Sequence, residues 1–167
     1  MQPKGYMPYY EEPHVLAEID VRGRFISMSC DIEWSMLNIM AYCSPDPFNQ
    51  VRNFKGMMMN QKIECTIADL KNNKPDYYNE YKEHLDQLIE FKTIRNDLSH
   101  YRLDFHKKPD LTSFRVFLID EHENIERVHY KEYTIQYLND AVKRFRKANL
   151  KLAELVDKLY RDYKAND

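Results

Sequence analysis

The sequence predicts a mainly α protein, a four-helix bundle with a small β-hairpin inserted before the last long helix. Three observations predict it. Only three of the 167 residues are glycine while 31% are charged, a balance that favours long helices over a loop-rich or barrel fold. Apolar residues recur at three- and four-residue spacing in four separate stretches. Between the third and fourth stretches the pattern changes to short runs rich in branched and aromatic residues.

A chain of this length can bury about 70% of its unfolded surface without metals or cross-links, so residues 1–167 are expected to form a single domain. Residues 1–14 read as an irregular N-terminal extension, polar and aromatic, without the basic start and apolar run of a signal peptide. The first helix is expected from about Glu18 to Tyr42, because Phe25, Met28, Ile32, Met36, Ile39 and Met40 recur at helical spacing. Ser44-Pro45-Asp46-Pro47 stops it, since proline lacks the amide donor and disfavours helical geometry in its predecessor. A loop to about Lys55 follows.

The second helix is expected over Met57 to Lys71, with Met58, Ile63, Ile67 and Leu70 as apolar members and Asn72-Asn73-Lys74-Pro75 as terminator. The third starts near Asp76, carries Tyr81, Leu85, Leu88 and Ile89, and continues to about Leu103. Phe114 to Ile119 and Ile125 to Tyr130 then form the hairpin, within an insert at 113–131, joined through Asp120-Glu121-His122-Glu123-Asn124. The fourth helix begins near Thr134 and shows Leu138, Ala141, Phe145, Leu152, Leu155, Val156 and Leu159 on one side.

The formal charge of −2 is not that of a strongly basic nucleic-acid binder, so any RNA contact must be local. Cys30, Cys43 and Cys65 are odd in number and lack the close pairing of a zinc site, and they read as reduced core residues. No apolar stretch approaches the ~18 residues that cross a bilayer, which points to a cytoplasmic protein without a membrane partner.

The sharpest functional signal is Arg95-Asn96-Asp97-Leu98-Ser99-His100, near the end of the third helix. A guanidinium holds a phosphate through paired hydrogen bonds, and a histidine moves protons near neutral pH. At about 100° per residue, Tyr81, Leu85, Leu88, Ile89, Lys92, Arg95, Asn96, Ser99, His100 and Leu103 fall within an arc of roughly 140°. A stripe that is apolar first and polar afterwards lines a cavity or meets another surface, because buried polar groups need partners. Arg95 and His100 lie at opposite edges of the arc, whereas Asn96 and His100 sit one above the other. Either Arg95 flexes toward the histidine, or two copies of the helix meet across a two-fold axis and share a composite site.

An Arg followed by a His at such spacing is uninformative alone, and Arg115 and His122 satisfy a looser version of it. A cation at a helix C-terminus also has a structural explanation in the helix dipole. The helical setting, the adjoining Asn96 and the polar stripe single out the first pair.

With its Arg95-Asn96-Asp97-Leu98-Ser99-His100 run, the chain resembles the HEPN superfamily, whose motif is Arg-x4-6-His with a frequent polar residue after the arginine. The likeness extends to the helical order, through the segments at Ile32-Glu33-Trp34-Ser35-Met36-Leu37 and Gln61-Lys62-Ile63 and the long terminal helix. The resemblance implies a helical bundle that pairs as a homodimer with facing motifs. It also implies a metal-independent endoribonuclease of toxin, abortive-infection or phage-defence type, with RNA as substrate, no cofactor, and an antitoxin or regulatory protein as a further partner. Other HEPN proteins have lost activity and serve in dimerisation and in RNA, nucleotide or protein binding, which is the alternative reading.

By the same resemblance Arg95 and His100 are the catalytic pair and Asn96 its polar support. The chemistry suits these residue types: the 2′-hydroxyl of RNA attacks the phosphate, His100 transfers protons, and Arg95 stabilises the phosphorane. Ser99, Lys92, Tyr101 and Arg102 are neighbouring candidates for holding substrate, and Glu33 a candidate supporting acid. One departure concerns regulation. HEPN toxins paired with a nucleotidyltransferase carry a tyrosine two residues after the histidine, where this chain has Arg102; Tyr101 comes one residue after His100.

Lys143, Arg144, Arg146, Lys147 and Lys151 form a basic cluster on the fourth helix, for which a solvated face is the commoner explanation than a phosphate track. The 13 tyrosines offer stacking surfaces for bases but more often pack at cores and interfaces. His84, His106, His122 and His129 show no metal-ligand spacing, and no metal site is expected.

Overall fold

The computed structural model describes residues 13–100, 102–104, 113–118 and 129–166, with the backbone alone for 13–15, 18, 100, 102–104, 113–118, 129, 130 and 166. It is mainly α, with five helices: α1 (Pro13–Cys43), α2 (Pro47–Phe54), α3 (Met59–Asn73), α4 (Pro75–His100) and α5 (Ile135–Asn166). Three short strands, β1 (Arg102–Asp104), β2 (Ser113–Leu118) and β3 (His129–Thr134), lie between α4 and α5 in the chain. No described helix is long and apolar enough to cross a membrane.

Two compact units emerge from the packing. One comprises the described residues of Met1–Ser27 and Arg95–Val142, the other those of Met28–Ile94 and Lys143–Asp167. The second is a helical bundle whose core includes Ile32, Met36, Ile39 and Met40 of α1, Ile63 and Leu70 of α3, Leu85, Leu88 and Phe91 of α4, and Phe145, Leu152 and Leu155 of α5. Polar ties between the helices match them in register. Ser35 Oγ donates to Asn149 Oδ1 at 3.0 Å, Tyr77 Oη to Asp162 Oδ2 at 3.0 Å, and Arg144 pairs with Glu90 at 2.7 Å.

Where a loop to Lys55 was expected, Pro47–Phe54 forms α2. The same Asp46-Pro47 that ends one helix starts the next: Asp46 Oδ1 accepts the Asn49 amide at 3.3 Å, and proline at the first helical position has no amide to leave unpaired. Helix α3 ends where Lys74 N–H meets Leu70 O at 2.9 Å, immediately before Pro75 opens α4.

In the first unit, Val21, Phe25, Leu98, Tyr133, Leu138, Ala141 and Val142 are buried. Arg24 joins α1 to α5 by donating to Asn139 Oδ1 at 3.1 Å while pairing with Asp20 at 2.7 Å. Helix α4 stops at His100, so Leu103, expected as its last apolar member, instead belongs to β1 and pairs with Val116. Of the second expected strand, Ile125 to Tyr130, the first four residues lie outside the described ones; β3 carries the run on to Thr134 and pairs antiparallel with β2, Phe114 in register with Tyr133 and Leu118 with His129. The expected turn Asp120–Asn124 lies outside the described residues.

Candidate functional site

Helix α4 carries the Arg95 to His100 run in its last turn and a half. Its buried line is Tyr81, Leu85, Leu88, Phe91, Ile94 and Leu98. This corrects the expectation of an apolar stripe that becomes polar. Ile89, placed on the stripe by ideal geometry, is 52% exposed, and the apolar line runs on through Leu98. In an ideal helix each step of three residues falls about 60° short of a full turn, and three such steps from Leu85 to Ile94 rotate the buried line around α4. The motif's polar residues consequently flank the core.

Arg95, Asn96 and Ser99 are half-buried. Arg95 Nη1 donates to Asn96 Oδ1 at 3.1 Å, so the asparagine holds the guanidinium of its neighbour. Two further atoms of the motif, Arg95 Nε and Ser99 Oγ, are covered and have no hydrogen-bond partner among the described residues. Arg95 and Ser99 are four apart on one face of the helix. A guanidinium N–H and a hydroxyl on one face are two donors suited to one anionic group.

Asp97, a motif residue to which the sequence assigned no role, is 9% exposed. Its Oδ2 accepts the Tyr133 hydroxyl at 2.5 Å and pairs with Lys131 Nζ at 3.1 Å. In a strand alternate side chains share a face, which places Lys131 and Tyr133 together toward the carboxylate. Lys131 Nζ also lies 4.9 Å from the centroid of the Tyr133 ring, and that ring stacks on Tyr137 with centroids 5.9 Å apart. Lys131 and Tyr133 lie beyond the β-prone run read from the sequence, which ended at Tyr130; alternation along a strand continued to Thr134 would have put them on one face.

The remaining candidates are placed as follows. His100 closes α4, and Arg102 opens β1 opposite Phe117; Tyr101 lies outside the described residues. In the bundle unit, the Lys92 ammonium donates to Asn60 Oδ1 of α3. The Glu33 carboxylate pairs with Lys62, whose Nζ lies 4.9 Å from the Phe54 ring centroid, and accepts from Ser29 Oγ at 3.5 Å. Both charged groups thus have structural partners within the bundle.

Within the basic cluster of α5, Arg144 is paired with Glu90 and Lys151 with Glu154, each at 2.7 Å. Cys43 is buried as expected, but Cys30 is exposed, because the buried line of α1 through Phe25, Met28, Ile32 and Met36 leaves it on the outer face. Burial pushes the Cys43 thiol up to about 12, with Lys74 opposing and Asp69 adding to the shift. Among the described residues no group of three or more His, Cys, Asp or Glu is placed to hold a metal ion.

No family model, curated protein or solved structure matches this chain.

Proposed function

We propose that the chain is a metal-independent endoribonuclease of the HEPN type, built as a HEPN-like four-helix bundle and acting as a homodimer in which two motif helices complete one site. The observation that carries this reading is the pair of donors without a partner among the described residues, Arg95 Nε and Ser99 Oγ, on one face of the motif turn. Buried polar groups nearly always have partners, and leaving one unmade costs about 1–3 kcal/mol. A scissile phosphate supplies the missing acceptor.

In this reading Arg95, held by Asn96, binds the phosphate and stabilises the added charge of the phosphorane. Ser99 contributes the second donor. His100 removes the proton of the 2′-hydroxyl or protonates the departing 5′-oxygen, and its counterpart from the second copy performs the other transfer. Bond formation from the 2′-oxygen to phosphorus and loss of the 5′-oxygen leave a 2′,3′-cyclic phosphate. Toxin or phage-defence activity restrained by an antitoxin or regulatory protein is the corresponding biological role.

The alternative, a non-catalytic HEPN-like module for dimerisation and RNA, nucleotide or protein binding, is favoured by one observation: Nε and Oγ are covered in this conformation. Incubation of the purified protein with mixed RNA in excess chelator, beside His100→Ala, separates the two. Cyclic-phosphate ends that vanish with the substitution support the nuclease. A folded, dimeric protein that leaves every RNA intact assigns the chain to the binding module.

A further inference from the structure

A helix end is a poor platform for chemistry. The last four carbonyls of a helix have no partner within it, and terminal turns open readily. His100 is the final residue of α4, and Arg95 lies in the turn before it. Catalytic groups must nevertheless be held within about 0.5 Å of their working geometry. Something has to restrain this turn.

Asp97 has the contacts to do so. A carboxylate this deeply covered is rare unless paired, and its partners among the described residues come from β3: the Tyr133 hydroxyl at 2.5 Å and the Lys131 ammonium at 3.1 Å. Tyr133 is itself 3% exposed and stacked on Tyr137 in the first turn of α5, so the anchor is a packed ring and not a loose side chain. Asp97 is two residues from both Arg95 and Ser99, which places it about 200° around the helix from each. It grips the turn from the side away from Arg95 Nε and Ser99 Oγ, both of which are covered.

We propose that Asp97, anchored by Tyr133 and Lys131, is the positioning residue of the motif: it fixes to β3 the last turn of α4, the turn from which Arg95 and His100 act in RNA cleavage. This inference rests on the nuclease reading. It assigns no contact between Asp97 and RNA.

The test compares steady-state RNA cleavage by the full-length protein with that of Tyr133→Phe, Asp97→Asn and the double variant. Leu155→Ala, a core substitution in the bundle unit, serves as a destabilised control, and all are assayed at a temperature where each is folded. Tyr133→Phe removes one oxygen and keeps the packed ring, so it remains informative where Asp97→Asn folds poorly. The expected result is a fall in kcat of between about 10- and 100-fold for each single variant, the range that a misplacement of about 1 Å produces. KM changes less than kcat, because misplacing the motif chiefly costs interactions made in the transition state. The double variant loses no more than the worse single one, as expected for two groups in one contact. Leu155→Ala keeps the wild-type kcat. Wild-type kcat in both single variants overturns the inference and leaves the nuclease standing, as does a control that loses kcat in step with its stability. A wild-type protein that cleaves no RNA overturns the nuclease and the inference together.

Discussion

Phe91 of α4 and Phe145 of α5 meet edge to face in the bundle core, with ring centroids 5.2 Å apart and planes at 79°, and neither ring is exposed. This arrangement sets the positive edge of one ring against the negative face of the other. Phe145→Ala removes the ring and leaves a void that close-packed neighbours fill only in part. The expected loss is about 3–5 kcal/mol of unfolding free energy, read from urea denaturation followed by circular dichroism. A loss under about 1 kcal/mol contradicts the packing described.

Gly23 presents the opposite case. It lies inside α1, is exposed, and an added Cβ meets no atom within 4 Å. Glycine in a helix interior costs roughly 0.5–1 kcal/mol relative to alanine, because the unfolded chain gives up more freedom. Gly23→Ala is expected to stabilise the protein by that amount. A midpoint in urea at or below the wild-type value overturns the expectation.

The four long helices were legible because each carries apolar residues at steps of three and four, a signal that survives without any partner in view. Helix α2 was missed because Asp46-Pro47 was read only as a stop, although Asp before Pro is equally a start signal. The stripe on α4 was misplaced for a different reason. An ideal straight helix assigns Ile89 and Lys92 to the core side, whereas the consecutive steps of three from Leu85 to Ile94 turn the core side away from them. Arg95, Asn96 and Ser99 were visible as a local pattern. The partners of Asp97 were not, since Lys131 and Tyr133 stand 34 and 36 residues further along the chain.

The alkaline limb of the stability profile carries the signature of Cys43. The folded thiol is raised from 9.0 to about 12, chiefly by burial. As pH rises above about 9 the unfolded chain releases its proton while the folded one retains it, so stability contributed below that value is lost progressively toward pH 12. Cys43→Ala is expected to make the decline between these limits shallower in urea titrations. Alkylation distinguishes the cysteines in the native protein: exposed Cys30 reacts with iodoacetamide, whereas buried Cys43 reacts only after unfolding. Equal labelling of the two in the native protein overturns the assignment.

The Glu33–Lys62 pair is half-buried, with side chains 30% and 13% exposed, and it joins α1 to α3. Coulomb attraction at such a site offsets the cost of removing the charges from water only while both partners remain. Glu33→Gln leaves the more deeply covered ammonium without its counter-charge. A loss of about 1–3 kcal/mol is expected, and Glu33→Gln combined with Lys62→Met is expected to recover part of it. A double variant no more stable than Glu33→Gln alone shows that the ion pair is not what Lys62 requires.

Ser99 separates stability from function in a single substitution. Its hydroxyl is covered and without a hydrogen-bond partner among the described residues, and it occupies a helical position where alanine is the better helix former. Ser99→Ala is therefore expected to stabilise the free protein by about 1 kcal/mol. If the hydroxyl awaits a phosphate oxygen, the same change weakens RNA binding by roughly 5- to 10-fold, the worth of one net hydrogen bond. The two effects are read separately, from urea unfolding of the free protein and from binding of an oligonucleotide whose 2′-hydroxyl at the cleavage position is absent, so that no turnover intervenes. Greater stability with weaker binding is the pattern of a residue kept for its ligand at the expense of the fold. Greater stability with unchanged binding makes the unpaired hydroxyl a feature of helix packing alone and removes Ser99 from the substrate site.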